Sequence, residues 1–433
     1  MERVSYGSFS AATRRELARS HAPMSVSFEL TRRCPLACQH CYNNLPVGDR
    51  KARAAELTLL DHRRLLDELA EMGCLWLLYT GGEILARPDF FDIYDHAKSR
   101  GFLITLFTNG TLITPAIADR LAASPPFAIE ITLYGHSRET YERVTGVPGS
   151  FQRCLRGIRA LVERKLPLKL KSVALTINKH ELDDMKAFAN GLGVEFKFDA
   201  LMSPRLDCSL SPLEVRLSPE ESVELDLRDP ARMAAWKGFA DRHLTAPAAR
   251  PASDQVYSCG GGVSSFAVDP YGGMSICVLS EKEKYHLGTG TVAEGWTQFL
   301  RAVRARKVTR ETKCTNCQIK PLCGMCPANG ELESGDAETP VDFLCAVAHL
   351  RALALGLSVT AHGDCEYCAG GERHEQLLGG FTRLQAAATL PLQPARRRGL
   401  RPAGLAVMAG AADESDRAGA SCSSGGCEGC GGH

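Results

Sequence analysis

Three thiols, Cys34, Cys38 and Cys41, stand with gaps of three and two residues in a short loop that follows an apolar run. Three thiolates can hold three irons of a [4Fe-4S] cube and leave the fourth iron open to a ligand that is not protein. A structural zinc knot and reactive free thiols are the competing readings. Zinc in a closed site takes four protein ligands, and beyond His40 no fourth Cys or His lies at ordinary spacing. Farther on, Gly81, Gly82 and Glu83 end a second apolar run. Glycines there let a strand end offer its backbone to a ligand, and Glu83 supplies a carboxylate acceptor for an ammonium group. Alone that triplet is common turn chemistry; one strand-and-helix unit after three cysteines, it points to a shared site.

Cysteines return in order in the second half: Cys259, then Gly272 and Cys277, then Cys314, Cys317, Cys323 and Cys326, with Cys345 standing apart. Pairs two residues apart suit zinc ribbons as well as iron-sulfur clusters, so the spacing alone leaves both open. Cys365 and Cys368 follow, and Cys422, Cys427 and Cys430 close the chain; no role is assigned to these five. The last three have gaps of four and two residues, like part of a ferredoxin loop. A metal-loading tail, a fused segment like a modified peptide, and incidental thiols in a solvated tail all fit them.

The elements that must position these residues alternate. Strands are expected at Ser25 to Thr31, Cys74 to Thr80, Phe102 to Thr108, Phe127 to Leu133, Leu168 to Thr176 and Val194 to Asp199, each short, apolar or β-branched and followed by turn residues. Helices lie between them, as where Thr58 and Asp61 open a run through Leu65, Leu66 and Leu69 that Gly73 closes. Six such units imply a parallel α/β sheet with right-handed crossovers, whose ligands gather at the carboxyl ends of the strands. Both the cysteine loop and the Gly81 to Glu83 turn fall at such ends. Asn109 in a Thr-Asn-Gly turn, Thr132, Ser172 and Asn178 fall at others, where turn formation or capping explains them equally well.

The chain has 433 residues, 44% of them hydrophobic, room for two or three packed domains. Its formal net charge of +1 gives no electrostatic reason for nucleic acid or membrane as partner. Eighteen cysteines is the outlying number. The first twenty residues carry no apolar signal core and no run is long enough to span a bilayer, so a reducing cytoplasm and metal ligation are expected instead of disulfides. The expected segments are an extension at 1–24, the sheet domain at 25–200, a bridge at 201–255 with helices near Ser218 to Leu225 and Met233 to Leu244, a Cys-rich module at 256–350, a helical extension at 351–390 with a helix from Glu372 to Ala387, and a Cys/Gly-rich tail at 391–433 that cannot bury a core and is expected to be disordered. The basic run Arg396 to Arg398 reads as linker.

The cysteine loop and the Gly81 to Glu83 motif resemble those of the radical S-adenosylmethionine (SAM) superfamily, and the later series resembles the SPASM extension of that superfamily. The resemblance implies a partial (β/α)6 barrel followed by a small Cys-rich α+β domain. It implies a SAM-binding [4Fe-4S] cluster on Cys34, Cys38 and Cys41, SAM's amino group at Gly81, Gly82 and Glu83, and lesser contacts from His40, Asn109 and Thr132. It further implies two auxiliary clusters of the [4Fe-4S] type, one on Cys314, Cys317, Cys323 and Cys345 and the other on Cys259, Cys277 and Cys326. The second set lacks one thiol, since position 253 is Ser253; an open iron, Cys208 or another ligand completes it.

Members with this organisation are commonest among peptide and protein maturases, which form crosslinks or oxidise a Cys or Ser side chain. The resemblance therefore implies a peptide or protein substrate, a reducing partner such as flavodoxin or ferredoxin, and oxidative products. About thirty residues precede Cys34, too few for a leader-recognition domain, so a leader, where there is one, is expected to be read by a separate leader-binding protein or by another surface. A tetrapyrrole or heme-pathway substrate is the enzymatic alternative, and a non-catalytic iron-sulfur carrier is the alternative of another class. No general base or hydrogen donor stands out from spacing alone.

Overall fold

The computed structural model describes residues 22–244 and 254–389. Its main sheet is built on β1 (Ser25–Thr31), with β4 (Trp76–Gly81), β5 (Leu103–Thr108), β6 (Ala128–Thr132), β7 (Leu168–Val173) and β8 (Glu195–Asp199) following in that spatial order, all parallel. A second, two-stranded sheet pairs β2 (Arg33–Cys34) with β3 (Leu45–Pro46), so the first cysteine lies on a strand and the loop is pinched at its base. Helices cross between the parallel strands. One of them, Leu59–Glu71, opens on a reciprocal Thr58/Asp61 capping box and turns Leu65, Leu66 and Leu69 inward. This is the α/β architecture expected of alternating units.

One boundary falls well short of the sequence reading for a local reason. The strand expected to reach Thr176 ends at Val173, because Asn178 replaces sheet pairing there: its Oδ1 accepts from the Leu175 amide at 2.7 Å and its Nδ2 donates to the Val173 carbonyl at 2.9 Å. In β1 the register with β4 slips between Glu29 and Thr31. The Leu30 carbonyl then accepts from Arg87 Nη1 at 3.1 Å, and the chain bends into the cysteine loop.

Beyond β8 the chain runs through helices Pro219–Arg228 and Pro230–His243, both with proline in the first turn. Strand β9 (Ser265–Val268) then pairs in parallel with β1, Val26 opposite Phe266 and Phe28 opposite Val268. Strands β10 (Gly273–Ser275) and β11 (Tyr285–His286) add antiparallel to it, giving a nine-stranded sheet. The Cys-rich segment thus continues the sheet of the first half. Helices Pro327–Ser334, Asp342–Ala354 and His374–Thr389 complete the described residues, the last two packing with the 219–228 helix around Leu322, Val347 and Leu350. Inside that core Asp226, fully buried, accepts from Arg232 and from Arg351 at 2.9 Å.

Candidate active site

At the carboxyl ends of the parallel strands lies a cavity of about 220 Å³. Cys34, Cys38, Cys41 and His40 line it together with Gly81, Gly82, Asn109, Thr132 and Ser172, so most of the residues singled out by spacing meet in one place. Asn109 Nδ2 donates to the Cys34 sulfur at 3.5 Å, while its Oδ1 accepts from the Thr111 amide and hydroxyl. Asn178 does not reach the cavity; its side chain is spent on backbone groups of Tyr134, Val173 and Leu175.

The two glycines answer a need of packing as well as of access. A Cβ on Gly81, whose φ is +123°, would stand 2.2 Å from the Thr31 carbonyl oxygen, and one on Gly82 would stand 2.5 Å from that of Arg33. The end of β4 presses directly on the start of the cysteine loop, with the Gly82 amide donating to Thr31 O at 2.7 Å and the Glu83 amide to Arg33 O at 3.0 Å. Glu83 is fully buried beneath the cavity wall. Its oxygens accept from the Thr108 hydroxyl at 2.8 and 2.9 Å and from the amides of Asn109 at 2.8 Å and Leu85 at 3.2 Å. In this structure Glu83 clamps the ends of β4 and β5, and burial raises its pKa against those donors.

The thiols have the character of metal ligands. Burial pushes Cys34 up to about 12 and raises Cys38 and Cys41, each opposed further by a neighbouring thiolate or carboxylate. Without a cation the three stay protonated; bound iron reverses that balance by adding the positive charge the pocket lacks. His40 is held neutral by burial, its pKa lowered to about 4, and its Nδ1 has no hydrogen-bond partner among the described residues. Its ring meets the edge of Tyr134 with centroids 4.9 Å apart. Three thiols around one cavity, with polar backbone and an orphaned imidazole nitrogen beside them, fit a three-thiolate cluster with a polar ligand on its open side.

Two wall residues were missed from the sequence. Tyr134 lies two residues past Thr132 on the strand exit, and Lys171 stands on β7 beside Ser172. Burial lowers Lys171 to about 7, although Glu130 at 3.3 Å favours its charge. The only signal was position: a basic residue at the carboxyl end of a strand.

In the Cys-rich segment Cys314, Cys317, Cys323 and Cys345 line one small cavity with Ile319 and Ala348. Cys277 is pushed up to about 11 by burial, with the charges of Cys326 and Cys259 adding, so these three thiols are neighbours. Cys208 is exposed, its sulfur 3.9 Å from the Glu331 carbonyl. Ser253 and Cys422, Cys427 and Cys430 lie outside the described residues. No helix among the described residues is long and apolar enough to cross a membrane.

Residues 28–190 match the radical SAM superfamily. The chain is 33% identical over 177 residues to an AdoMet-dependent heme synthase of Methanosarcina barkeri, covering 41% of this chain and 50% of that protein. It is 27% identical over 311 residues to the mycofactocin maturase MftC of Mycobacterium ulcerans, covering 70% and 80%. It is 35% identical over 165 residues to the PqqA peptide cyclase of Ruegeria pomeroyi, covering 38% and 42%. The chain therefore spans half or less of two of these relatives. In fold it is similar to Streptococcus suis SuiB bound to precursor peptide SuiA, with a TM-score of 0.60 at 14% identity over 80% of this chain and 82% of that one. The radical SAM match is confined to residues 28–190, the segment that carries Cys34, Cys38, Cys41 and Gly81 to Glu83, and a cysteine-rich segment follows it.

Proposed function

We propose that the chain is a radical SAM/SPASM enzyme that oxidatively modifies a peptide or protein, by crosslinking or by formylglycine-type oxidation. The observation that carries this reading is the convergence of Cys34, Cys38 and Cys41 with Gly81, Gly82, Asn109 and Thr132 on one cavity at the strand ends. A [4Fe-4S] cluster held there, with SAM bound, supplies a 5′-deoxyadenosyl radical and with it hydrogen-atom abstraction. The three cysteines would hold the cluster; the backbone of Gly81 and Gly82 and the side chains of Asn109 and Thr132 would orient SAM, and Tyr134 and Leu36 would help exclude water. Glu83 would act on SAM through the turn it clamps. Cys314, Cys317, Cys323 and Cys345 would hold one auxiliary cluster and Cys259, Cys277 and Cys326 another. An external reductant and, where the substrate has a leader, a separate leader-binding protein would complete the system.

The peptide class is supported by the similarity to the mycofactocin maturase, which spans 80% of that relative. The heme-pathway reading is favoured by one observation, the 33% identity to a heme synthase, confined to 41% of this chain. The deciding experiment is production of 5′-deoxyadenosine from SAM by the reduced, anaerobically reconstituted chain, beside a Cys41→Ala variant. Production in the wild type that disappears in the variant is expected. Iron-loaded wild type that neither binds nor cleaves SAM overturns the enzyme reading in favour of a carrier. A precursor-like peptide that raises 5′-deoxyadenosine output, where tetrapyrroles do not, decides the substrate class.

A further inference from the structure

Outside both cysteine series, four buried side chains converge: His349, His362, Cys365 and Cys368, whose ligand atoms all lie within 4.8 Å of one another. His349 Nε2 is 3.6 Å from the sulfur of Cys365 and 3.6 Å from that of Cys368. His362 Nδ1 is 3.4 Å from the Cys368 sulfur. We propose that these four residues bind one zinc ion in a closed, structural site.

The distances match a single tetrahedral ion. Zn–S bonds of about 2.3 Å and Zn–N bonds of about 2.0–2.1 Å, opened to the tetrahedral angle, place sulfur and nitrogen roughly 3.6 Å apart. A cubane cluster spreads its thiolates around a far bulkier core, and two imidazoles are not its usual ligands. Two thiols and two imidazoles form one of the regular structural zinc sets.

Ordinary hydrogen bonding serves the same group only in part: His362 Nδ1 has the Thr360 carbonyl at 3.0 Å and the Cys368 sulfur has it at 3.9 Å, while His349 Nε2 lies between two sulfurs. The Nδ1 of His349 lies 2.9 Å from the Cys345 carbonyl, one turn back on the same helix, and a donor there fixes the tautomer. The neutral ring then keeps one lone pair, on Nε2, at 3.6 Å from each of two sulfurs. One lone pair serves one donor, whereas one cation at the centre serves all four ligands. The carbonyl contact is also the support that metal-bound histidines use to hold their ring.

The backbone is arranged for it. The Cys365 amide donates to His362 O and the Cys368 amide to Cys365 O, both at 3.3 Å, and the Gly371 amide to Cys368 O at 2.8 Å, so His362, Cys365 and Cys368 sit on successive turns that face the helix bearing His349. Around them Tyr367 donates to Asp342 at 3.0 Å and Lys313 pairs with Glu366 at 2.6 Å. The same helix supplies Cys345, and His349 and Cys365 line the small cavity shared by Cys314, Cys317, Cys323 and Cys345. The zinc would pin the 357–373 loop over that cavity and fix the helix that carries its last thiol.

The test uses the full chain, produced with zinc available and purified anaerobically, examined by metal analysis and zinc X-ray absorption. The expected result is one zinc per chain with a shell of two sulfurs and two nitrogens, and a loss of zinc of roughly tenfold or more in Cys365→Ala and Cys368→Ala with iron unchanged. A zinc-free wild type under zinc excess, an all-sulfur shell, zinc retained in both variants, or iron lost from them by a whole cluster would each overturn it. The wild-type spectrum decides even where a variant fails to fold. SAM cleavage is measured separately, so this site and the proposed activity stand or fall apart.

Discussion

Lys171 is a cation that its surroundings resist. It lies over the Phe107 ring in the wall of the candidate active site, and burial, the larger effect, outweighs Glu130 to bring its pKa down to about 7. The unfolded chain titrates the same amine at an ordinary lysine value of about 10.4. Below about pH 7 both states are charged and the folded state carries the full cost of burying that charge. Between about pH 7 and 10 the unfolded chain binds the extra proton, so stability rises with pH across that window. Lys171→Met removes the titrating group. Its melting temperature, measured anaerobically on cluster-loaded protein, is expected to exceed the wild type's most near pH 6 and to converge toward it near pH 9. A difference that does not change with pH would show that the lysine keeps an ordinary pKa in the folded chain. His62 obeys the same logic at lower pH: burial first, then the charge of Arg87, lower it to about 3, and neither ring nitrogen has a partner among the described residues. As pH falls from about 6.5 toward 3 the unfolded chain binds a proton that the folded one refuses. His62→Leu is expected to unfold at a lower pH than the wild type when acid denaturation is followed by circular dichroism.

Strands, helices and the loop between them depend on one buried ion-pair cluster. Arg33 meets Glu56 with two hydrogen bonds, at 2.8 and 2.9 Å, and Arg87 approaches the same carboxylate at 3.6 Å while bonding Asp89 and the Leu30 and Leu57 carbonyls. Arg33 directly precedes Cys34, so this cluster sets the base of the cysteine loop. Glu56→Ala strands the Arg33 guanidinium, only 4% exposed, and leaves Arg87 with Asp89 alone as a carboxylate partner, a loss expected to cost about 3–5 kcal/mol. Urea unfolding is expected to shift by that amount and iron retention to fall with it; an unchanged iron content would separate the loop from its base. The cysteine loop itself was legible in the sequence because its signal is local, three thiols within eight residues. The strands were legible because alternation and turn residues are local too. Lys171 was not, since its value depends on which phase of β7 meets the cavity. His349 was not, because twelve residues separate it from His362 and nothing local ties it to Cys365 and Cys368; His362, with the same two-residue gap before Cys365 as Cys365 has before Cys368, carried a local signal that was missed. The inward turn of Glu83 was equally invisible: the sequence supplied a carboxylate, but its partners Thr108 and Asn109 come from the next strand.

For the molecule as a whole, the consequence lies in how its halves share one sheet. Read along the chain, the Cys-rich segment looks separable, because a bridge and a change of composition precede it. In three dimensions β9 occupies the edge of β1, on the side opposite β4, through four paired residues, and Val26 and Phe28 are each only 1% exposed. Pairing between residues about 240 positions apart leaves no periodic mark in either strand, which is why it could not be read in advance. An uncovered β1 would present a flat apolar edge, the kind that recruits other chains. A chain ending at Leu244 is therefore expected to aggregate or to stay insoluble even though it keeps all six parallel strands and Cys34, Cys38 and Cys41. A chain ending at Thr389 keeps β9 to β11 and is expected to elute as the wild type does on size exclusion, with its amino-terminal cluster intact. A monomeric, iron-loaded product from the shorter chain would show that β1 tolerates an open edge and that the halves fold independently. Aggregation of the shorter chain alone would make the auxiliary segment a structural part of the barrel, so that variants in β9 to β11 would be expected to disturb SAM cleavage through β1, whose end carries the cysteine loop.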